Sequence, residues 1–141
     1  MTHMAVTLPL PTLDDTVALG RRLAAGLRAG DALLLEGPLG AGKSALARAI
    51  LRALLDNPAL VVPSPTFTLV QTYDAPDFAV AHFDLWRLDG PGALTELGWD
   101  EARNGVVIVE WPDRLGDQRP ENAQVIALDY GPGDSRVAVM R

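Results

Sequence analysis

Gly37-Pro38-Leu39-Gly40-Ala41-Gly42-Lys43-Ser44 decides how this chain is read, because it satisfies the pattern G-x-x-x-x-G-K-[S/T] in full. Glycines permit backbone conformations that side chains forbid, so successive amide N–H groups can turn inward around phosphate oxygens. A helix starting near Lys43 adds its unpaired N–H groups and positive dipole end at the same place. The pattern therefore predicts a phosphate cradle lined by Gly37, Leu39, Gly40, Ala41 and Gly42, with Lys43 reaching the β- and γ-phosphates and the Ser44 hydroxyl ligating Mg²⁺. By chance it would arise in roughly 1 in 200 chains of this length, so an ordinary glycine-rich turn is a poor competitor. Lys43 is also the only lysine, every other basic residue being arginine. Lysine stands where a compact ammonium is needed and a broad guanidinium fork would not fit.

The flanks strengthen the reading. Ala32-Leu33-Leu34-Leu35 is a short apolar run of the kind that forms a strand buried on both faces. Ser44 to Leu55 is rich in Ala, Leu and Arg, all good helix formers, and Asn57-Pro58 ends it. Upstream, Ala5 to Leu8 predicts a short strand before a break at Pro9 and Pro11. Thr12-x-x-Asp15 has the form of a capping box opening a helix, with Val17, Leu23, Ala24 and Leu27 at helical spacing and Gly30 as terminator. Downstream, Phe67 to Tyr73 and Ala79 to Trp86 predict a hairpin around Asp74-Ala75-Pro76-Asp77. Short helices are expected within Pro91 to Arg103, a strand at Val106 to Glu110, a polar stretch from Pro112 to Asn122, and a strand pair at Gln124–Asp129 and Arg136–Met140. There is no internal repeat or linker. The expected fold is α/β: one P-loop NTPase-like three-layer domain over residues 1–141, with parallel and antiparallel strands in one sheet.

A P-loop needs an acid near Mg²⁺, usually at the carboxyl end of a neighbouring strand. Glu110 closes Val106-Val107-Ile108-Val109 and fits that position. Asp84 lies in His82-Phe83-Asp84-Leu85-Trp86, where alternation puts His82, Asp84 and Trp86 on one face. His82 reads as a packed or hydrogen-bonded strand histidine. Trp111 stands either near the nucleotide or as an aromatic cap on the core, and Glu36 simply ends its strand. Read alone, Ser64-Pro65-Thr66 is a loop before a strand, although Thr66 could sense a γ-phosphate as switch threonines do. Guanine specificity in this class uses an Asn-Lys-x-Asp signature; the single lysine lies elsewhere, which leaves ATP.

The 141 residues suffice for one substantial core. Twelve basic and eighteen acidic residues give a net charge of −6, which attracts neither phosphate backbones nor anionic lipids. Any nucleic acid in the function is therefore expected to sit on a partner. With no cysteine, disulfides and thiolate metal sites are excluded. No secretory signal or bilayer-length apolar run is visible, so the expected location is cytoplasmic.

Together these segments resemble the TsaE (YjeE) family of bacterial P-loop ATPases. The resemblance rests on the glycine loop, Ser64-Pro65-Thr66-Phe67-Thr68-Leu69, His82-Phe83-Asp84-Leu85-Trp86-Arg87-Leu88, Glu96-Leu97-Gly98 and Glu110-Trp111, and it covers nearly the whole chain. It implies a role in forming threonylcarbamoyladenosine in tRNA beside TsaD and TsaB proteins, with ATP hydrolysis needed for repeated turnover. By position it implies that Lys43 binds phosphate, that Ser44 and Glu110 hold Mg²⁺, that Asp84 supports hydrolysis, and that Thr66 belongs to the switch region. It also puts adenine near Leu13 and the turn around Gly133. Departures from the family's usual residues are Ser44 for Thr, Pro38 for Asp and Trp86 for Tyr; none removes a required donor or ligand.

Two other functions use the same loop. A small-metabolite kinase would need an acceptor pocket and a lid, for which Arg114 and Arg119 are the candidate arginines. A nucleotide-responsive binding module would signal by occupancy with little hydrolysis.

Overall fold

Strand β2 (Ala32–Glu36) lies at the middle of a seven-stranded sheet in the computed structural model, which describes residues 5–65 and 68–141. The other strands are β1 (Val6–Leu10), β3 (Val70–Asp74), β4 (Ala79–Asp84), β5 (Val106–Glu110), β6 (Gln124–Tyr130) and β7 (Arg136–Met140). Their order across the sheet is β1-β7-β6-β2-β5-β4-β3. The four inner strands β6, β2, β5 and β4 run parallel, and antiparallel pairings at both margins complete the mixed sheet. The unbroken apolar runs are the strands covered on both sides: β5 is buried along its whole length, and β2 as far as Leu35.

Helices α1 (Leu13–Ala25) and α2 (Lys43–Leu54) cover one face, where Leu33, Leu35, Ile108 and Ile126 meet Leu19, Leu46 and Ile50. The opposite face carries a 3-10 helix (Pro91–Leu97), the single turn α3 (Trp99–Ala102) and a 3-10 segment (Pro112–Gln118) broken at Gly116. There Leu34, Phe83, Val107 and Val109 pack against Leu94, Trp99 and Leu115. Phe83 and Trp99 meet edge to face, with centroids 5.1 Å apart. Among the described residues no helix is long and apolar enough to cross a membrane.

Several boundaries differ from the sequence expectation. β1 runs through Pro9, which an edge strand tolerates because half of its backbone groups have no neighbour to bond. α1 stops at Ala25, and Gly26 is its cap; Gly30, at φ 95°, instead turns the chain into β2 and donates its N–H to the Gly105 carbonyl at 2.7 Å. β3 starts at Val70 because Leu69 adopts φ 67° and its N–H turns back to the Pro65 carbonyl at 2.6 Å. The 3-10 segment from Pro112 gives no periodic signal, since two buried residues, Pro112 and Leu115, anchor an otherwise polar stretch. At the start of α1, the expected acid is in place: Asp15 accepts from the Thr12 N–H at 2.9 Å and from its hydroxyl at 2.8 Å.

Parallel pairing has a direct consequence for function. β2, β4 and β5 all end at the same edge of the sheet, with Leu35 beside Glu110 and Glu110 beside Asp84. Residues far apart in sequence therefore meet where the glycine loop leaves β2.

Candidate functional site

After β2 the chain must reverse before α2 begins, and glycine makes the turn possible. Gly37 takes φ 140° against the backbone of Leu128 on β6, where a Cβ would collide with the Leu128 carbonyl oxygen. Gly42 is the α2 N-cap at φ 105°, a conformation that L side chains rarely adopt. The Ala41 N–H is used internally, donating to the Pro38 carbonyl at 3.1 Å, and Leu46 donates to Gly42 at 3.0 Å. No described carbonyl or side chain accepts from the amides of Gly42, Lys43, Ser44 or Ala45. Those amides surround the dipole end of α2, which is a ready receptor for an anion.

Lys43 folds back over this loop and is only 5% exposed. Its Nζ donates to the Gly37 carbonyl at 2.6 Å and the Pro38 carbonyl at 2.9 Å, and sits 4.2 Å from the centre of the Trp111 ring. Burial pushes the ammonium below its ordinary pKa of 10.5, while the carboxylates of Glu110 and Asp84 act in the opposite direction. Trp111 reaches the ammonium because its backbone turns to φ 58° directly after β5. Both readings open for it describe part of its place: it borders the loop cavity beside Lys43 and also packs against the core cluster of Val109 and Leu115. Its ring also meets Trp86, with centroids 4.9 Å apart.

Asp84 and Glu110 are both buried, at 6% and 2% exposure. The Ser44 hydroxyl donates to Glu110 Oε1 at 2.9 Å, and Glu110 Oε2 lies 2.7 Å from His82 Nε2. Asp84 Oδ1 accepts the Trp86 N–H at 3.2 Å. Ser44, Asp84, Trp86, Glu110 and Trp111 line a cavity of about 480 Å³ together with Leu39, Gly40, Gly42, Lys43, Ala45 and Ser64, and His82 stands behind Glu110. Gly37 and Ala41 support the loop from behind it.

The two adenine-side expectations fall differently. Leu13, 64% exposed, lines a second cavity of about 450 Å³ between α1 and α2, which shares Ala45 with the loop cavity. Gly133 occupies the β6–β7 turn at φ 60° and lines neither cavity. Its neighbours reach the loop instead: the Tyr130 hydroxyl donates to the Leu39 carbonyl, and Arg136 Nε donates to the Gly40 carbonyl at 3.2 Å. Tyr130 and Arg136 are register partners across β6 and β7, a relation that no local motif announces. Thr66 lies outside the described residues. Glu36 does more than end its strand, since it pairs with Arg119 at 3.4 Å and also with Arg141. Arg114 donates to the Leu88 carbonyl at 3.4 Å, so neither arginine considered for a kinase lid lines the loop cavity.

The donors suit a nucleotide phosphate tail with a hard divalent cation. Unpaired amides and an ammonium match phosphate oxygens. A hydroxyl and carboxylates match Mg²⁺, which usually takes one or two protein oxygens and completes its shell with phosphates and water. Among the described residues there is no cluster of three or more potential ligands that would form a closed metal cage.

Comparison with known proteins gives a consistent picture. A family model described as threonylcarbamoyl adenosine biosynthesis protein TsaE matches residues 10–137. The chain is similar to the tRNA threonylcarbamoyladenosine biosynthesis protein TsaE of Rickettsia bellii, with 37% identity covering 88% of this chain and 86% of that protein. A protein of the same description from Rickettsia conorii is 41% identical over 71% of this chain, which spans 57% of that relative's length. The crystal structure of Bacillus subtilis YdiB superposes with a TM-score of 0.79 at 27% identity, covering 99% of this chain and 87% of that one.

Proposed function

The chain belongs to the TsaE family, and from that premise we propose that it is a P-loop ATPase that binds ATP with Mg²⁺ and supports threonylcarbamoyladenosine formation in tRNA together with TsaD and TsaB proteins. The observation that carries the reading is the convergence of Lys43, Ser44, Asp84 and Glu110 on one cavity at the free amides of α2.

In this reading the amides of Gly42 to Ala45 bind the phosphate chain, and Lys43 turns its ammonium to the β- and γ-oxygens. The carbonyls of Gly37 and Pro38 hold that ammonium at the cavity before the ligand arrives, so little side-chain freedom is lost on binding. Ser44 and Glu110 hold the cation, already sharing a hydrogen bond. When bound, Mg²⁺ would neutralise charge on the phosphates and polarise the γ-phosphoryl group. Asp84, steadied by the Trp86 N–H, orients the attacking water by accepting one of its hydrogen bonds. Trp86 and Trp111 border that space and limit the entry of further water. The shared wall at Ala45 leads toward Leu13, which gives the nucleoside an apolar surface beyond the α-phosphate.

A family with this description works on tRNA, yet the chain carries a net charge of −6. The nucleic acid therefore rests on the partners, and this protein acts on them through its nucleotide cycle. Reconstitution with TsaD and TsaB proteins, tRNA, ATP and the threonylcarbamoyl donor tests the proposal. Repeated turnover should require the chain and intact ATP hydrolysis. Equal turnover without the chain would overturn the reading, and a stoichiometric phosphorylated metabolite would replace it with the kinase.

A further inference from the structure

Glu110 makes a contact that the glycine-loop motif does not require. One carboxylate oxygen accepts from Ser44 at 2.9 Å, while the other lies 2.7 Å from His82 Nε2. His82 and Glu110 are both only 2% exposed. His82 sits on β4 two residues before Asp84, on the sheet face covered by α2, and its strand neighbour is Ile108.

The other ring nitrogen decides the hydrogen position. His82 Nδ1 is buried, with no hydrogen-bond partner among the described residues. A proton there would be a buried donor without an acceptor, and would set two bare acceptors, Nε2 and the carboxylate, at 2.7 Å. With the proton on Nε2 both problems vanish: His82 donates to Glu110, and only a lone pair goes unpartnered. A neutral donor also leaves the carboxylate's negative charge available to a cation, which a lysine or arginine at this place would cancel. His82 does not line the loop cavity, so its influence passes through Glu110.

We propose that His82 is a positioning residue whose Nε2–H locks the Glu110 carboxylate so that its Ser44-bonded oxygen faces the bound nucleotide, thereby setting the protein's affinity for the divalent cation that accompanies it. This rests on the nucleotide–Mg²⁺ reading of the site. Glutamate has three rotatable side-chain bonds, and an unanchored carboxylate must be ordered at the moment the cation binds. Groups that orient a metal ligand typically contribute 10–100-fold to metal affinity.

The test compares His82→Leu, His82→Asn and His82→Gln in the full chain. Gln places an N–H donor at about the reach of Nε2, whereas Asn is too short and Leu has no donor. A fluorescent ATP analogue is titrated with excess EDTA and again with Mg²⁺, and the ratio of the two dissociation constants reports cation coupling. Leu and Asn should lower that ratio by about tenfold, and Gln should restore most of it. Affinity in EDTA should stay within about twofold of the parent chain in all three, because Lys43 and the loop amides are untouched. An unchanged ratio in Leu and Asn overturns the proposal. So does an equal loss with and without Mg²⁺, which would make His82 a general support of the cavity. If the Leu variant fails to fold, the Asn and Gln pair decides alone. A parent chain that binds the analogue in EDTA but shows no Mg²⁺ dependence overturns the positioning role and keeps the phosphate loop; one that binds no analogue at all removes the nucleotide reading itself.

Discussion

Lys43 is held by the loop it serves: two carbonyls accept from its ammonium and an aromatic face lies beneath it. Replacing it removes a charged donor from the proposed phosphate site, where such bonds are worth about 1.5–3 kcal/mol. Lys43→Ala should therefore weaken ATP binding by about 10–100-fold, measured by calorimetric titration; an unchanged affinity would remove the site assignment. Burial lowers the Lys43 pKa from 10.5, so the folded chain releases this proton at a lower pH than the unfolded chain does. Between those values the unfolded state binds more protons, and the ligand-free protein gains stability from this group as pH rises. Phosphate affinity moves the other way. It should begin to fall below pH 10.5, and a binding curve flat up to that pH would contradict the buried ammonium. At Glu110, substitution with Gln keeps the shape and removes the charge beside Ser44. Mg²⁺-dependent turnover should drop by at least about tenfold with the circular dichroism spectrum unchanged; a normal rate at limiting Mg²⁺ would exclude the carboxylate as a ligand.

Among the elements, α1 meets α2 tightly at a residue with no side chain. A Cβ on Gly20 would stand 2.5 Å from the Ala49 Cβ and 3.0 Å from the Ala49 carbonyl carbon. α2 carries Lys43 and Ser44 at its first turn, so the depth at which it rests on α1 affects the site as well as the core. Gly20→Val forces the helices apart and should cost about 1–3 kcal/mol, read as a lower urea midpoint with an unchanged slope. A midpoint equal to the parent's would mean that this contact opens without resistance. The β6–β7 pair supplies the other support, Tyr130 and Arg136 holding outward-facing loop carbonyls while Leu128 backs Gly37.

For the molecule as a whole, eighteen acidic against twelve basic residues oppose binding to a phosphate backbone. The isolated chain should give no saturable shift of tRNA in electrophoresis near physiological ionic strength; tight binding without partners would defeat the division of labour proposed here. At this scale the contributions of sequence and structure also separate. The order strand, glycine loop, helix was legible because its requirements are local: apolar residues for a buried strand, glycine where φ is positive, helix formers after it. Glu110 was legible for the same reason, since it closes an apolar stretch, whereas Asp84 was expected inside a strand reaching Trp86 and in fact ends β4. Local patterns could not give the start of β3, the cap of α1 or the 3-10 segment after Pro112, each of which is set by a contact or turn with no periodicity. Nor could they join His82 to Glu110, Trp111 to Lys43, or Arg136 to Gly40. Those contacts depend on which strands are neighbours and in what register, and register is chosen by the packing of both sheet faces together. The sequence by itself determined the chemistry that is available, because each donor and acceptor belongs to a residue; the tertiary structure decided which of them share a cavity, because parallel pairing brings distant strand ends to one edge.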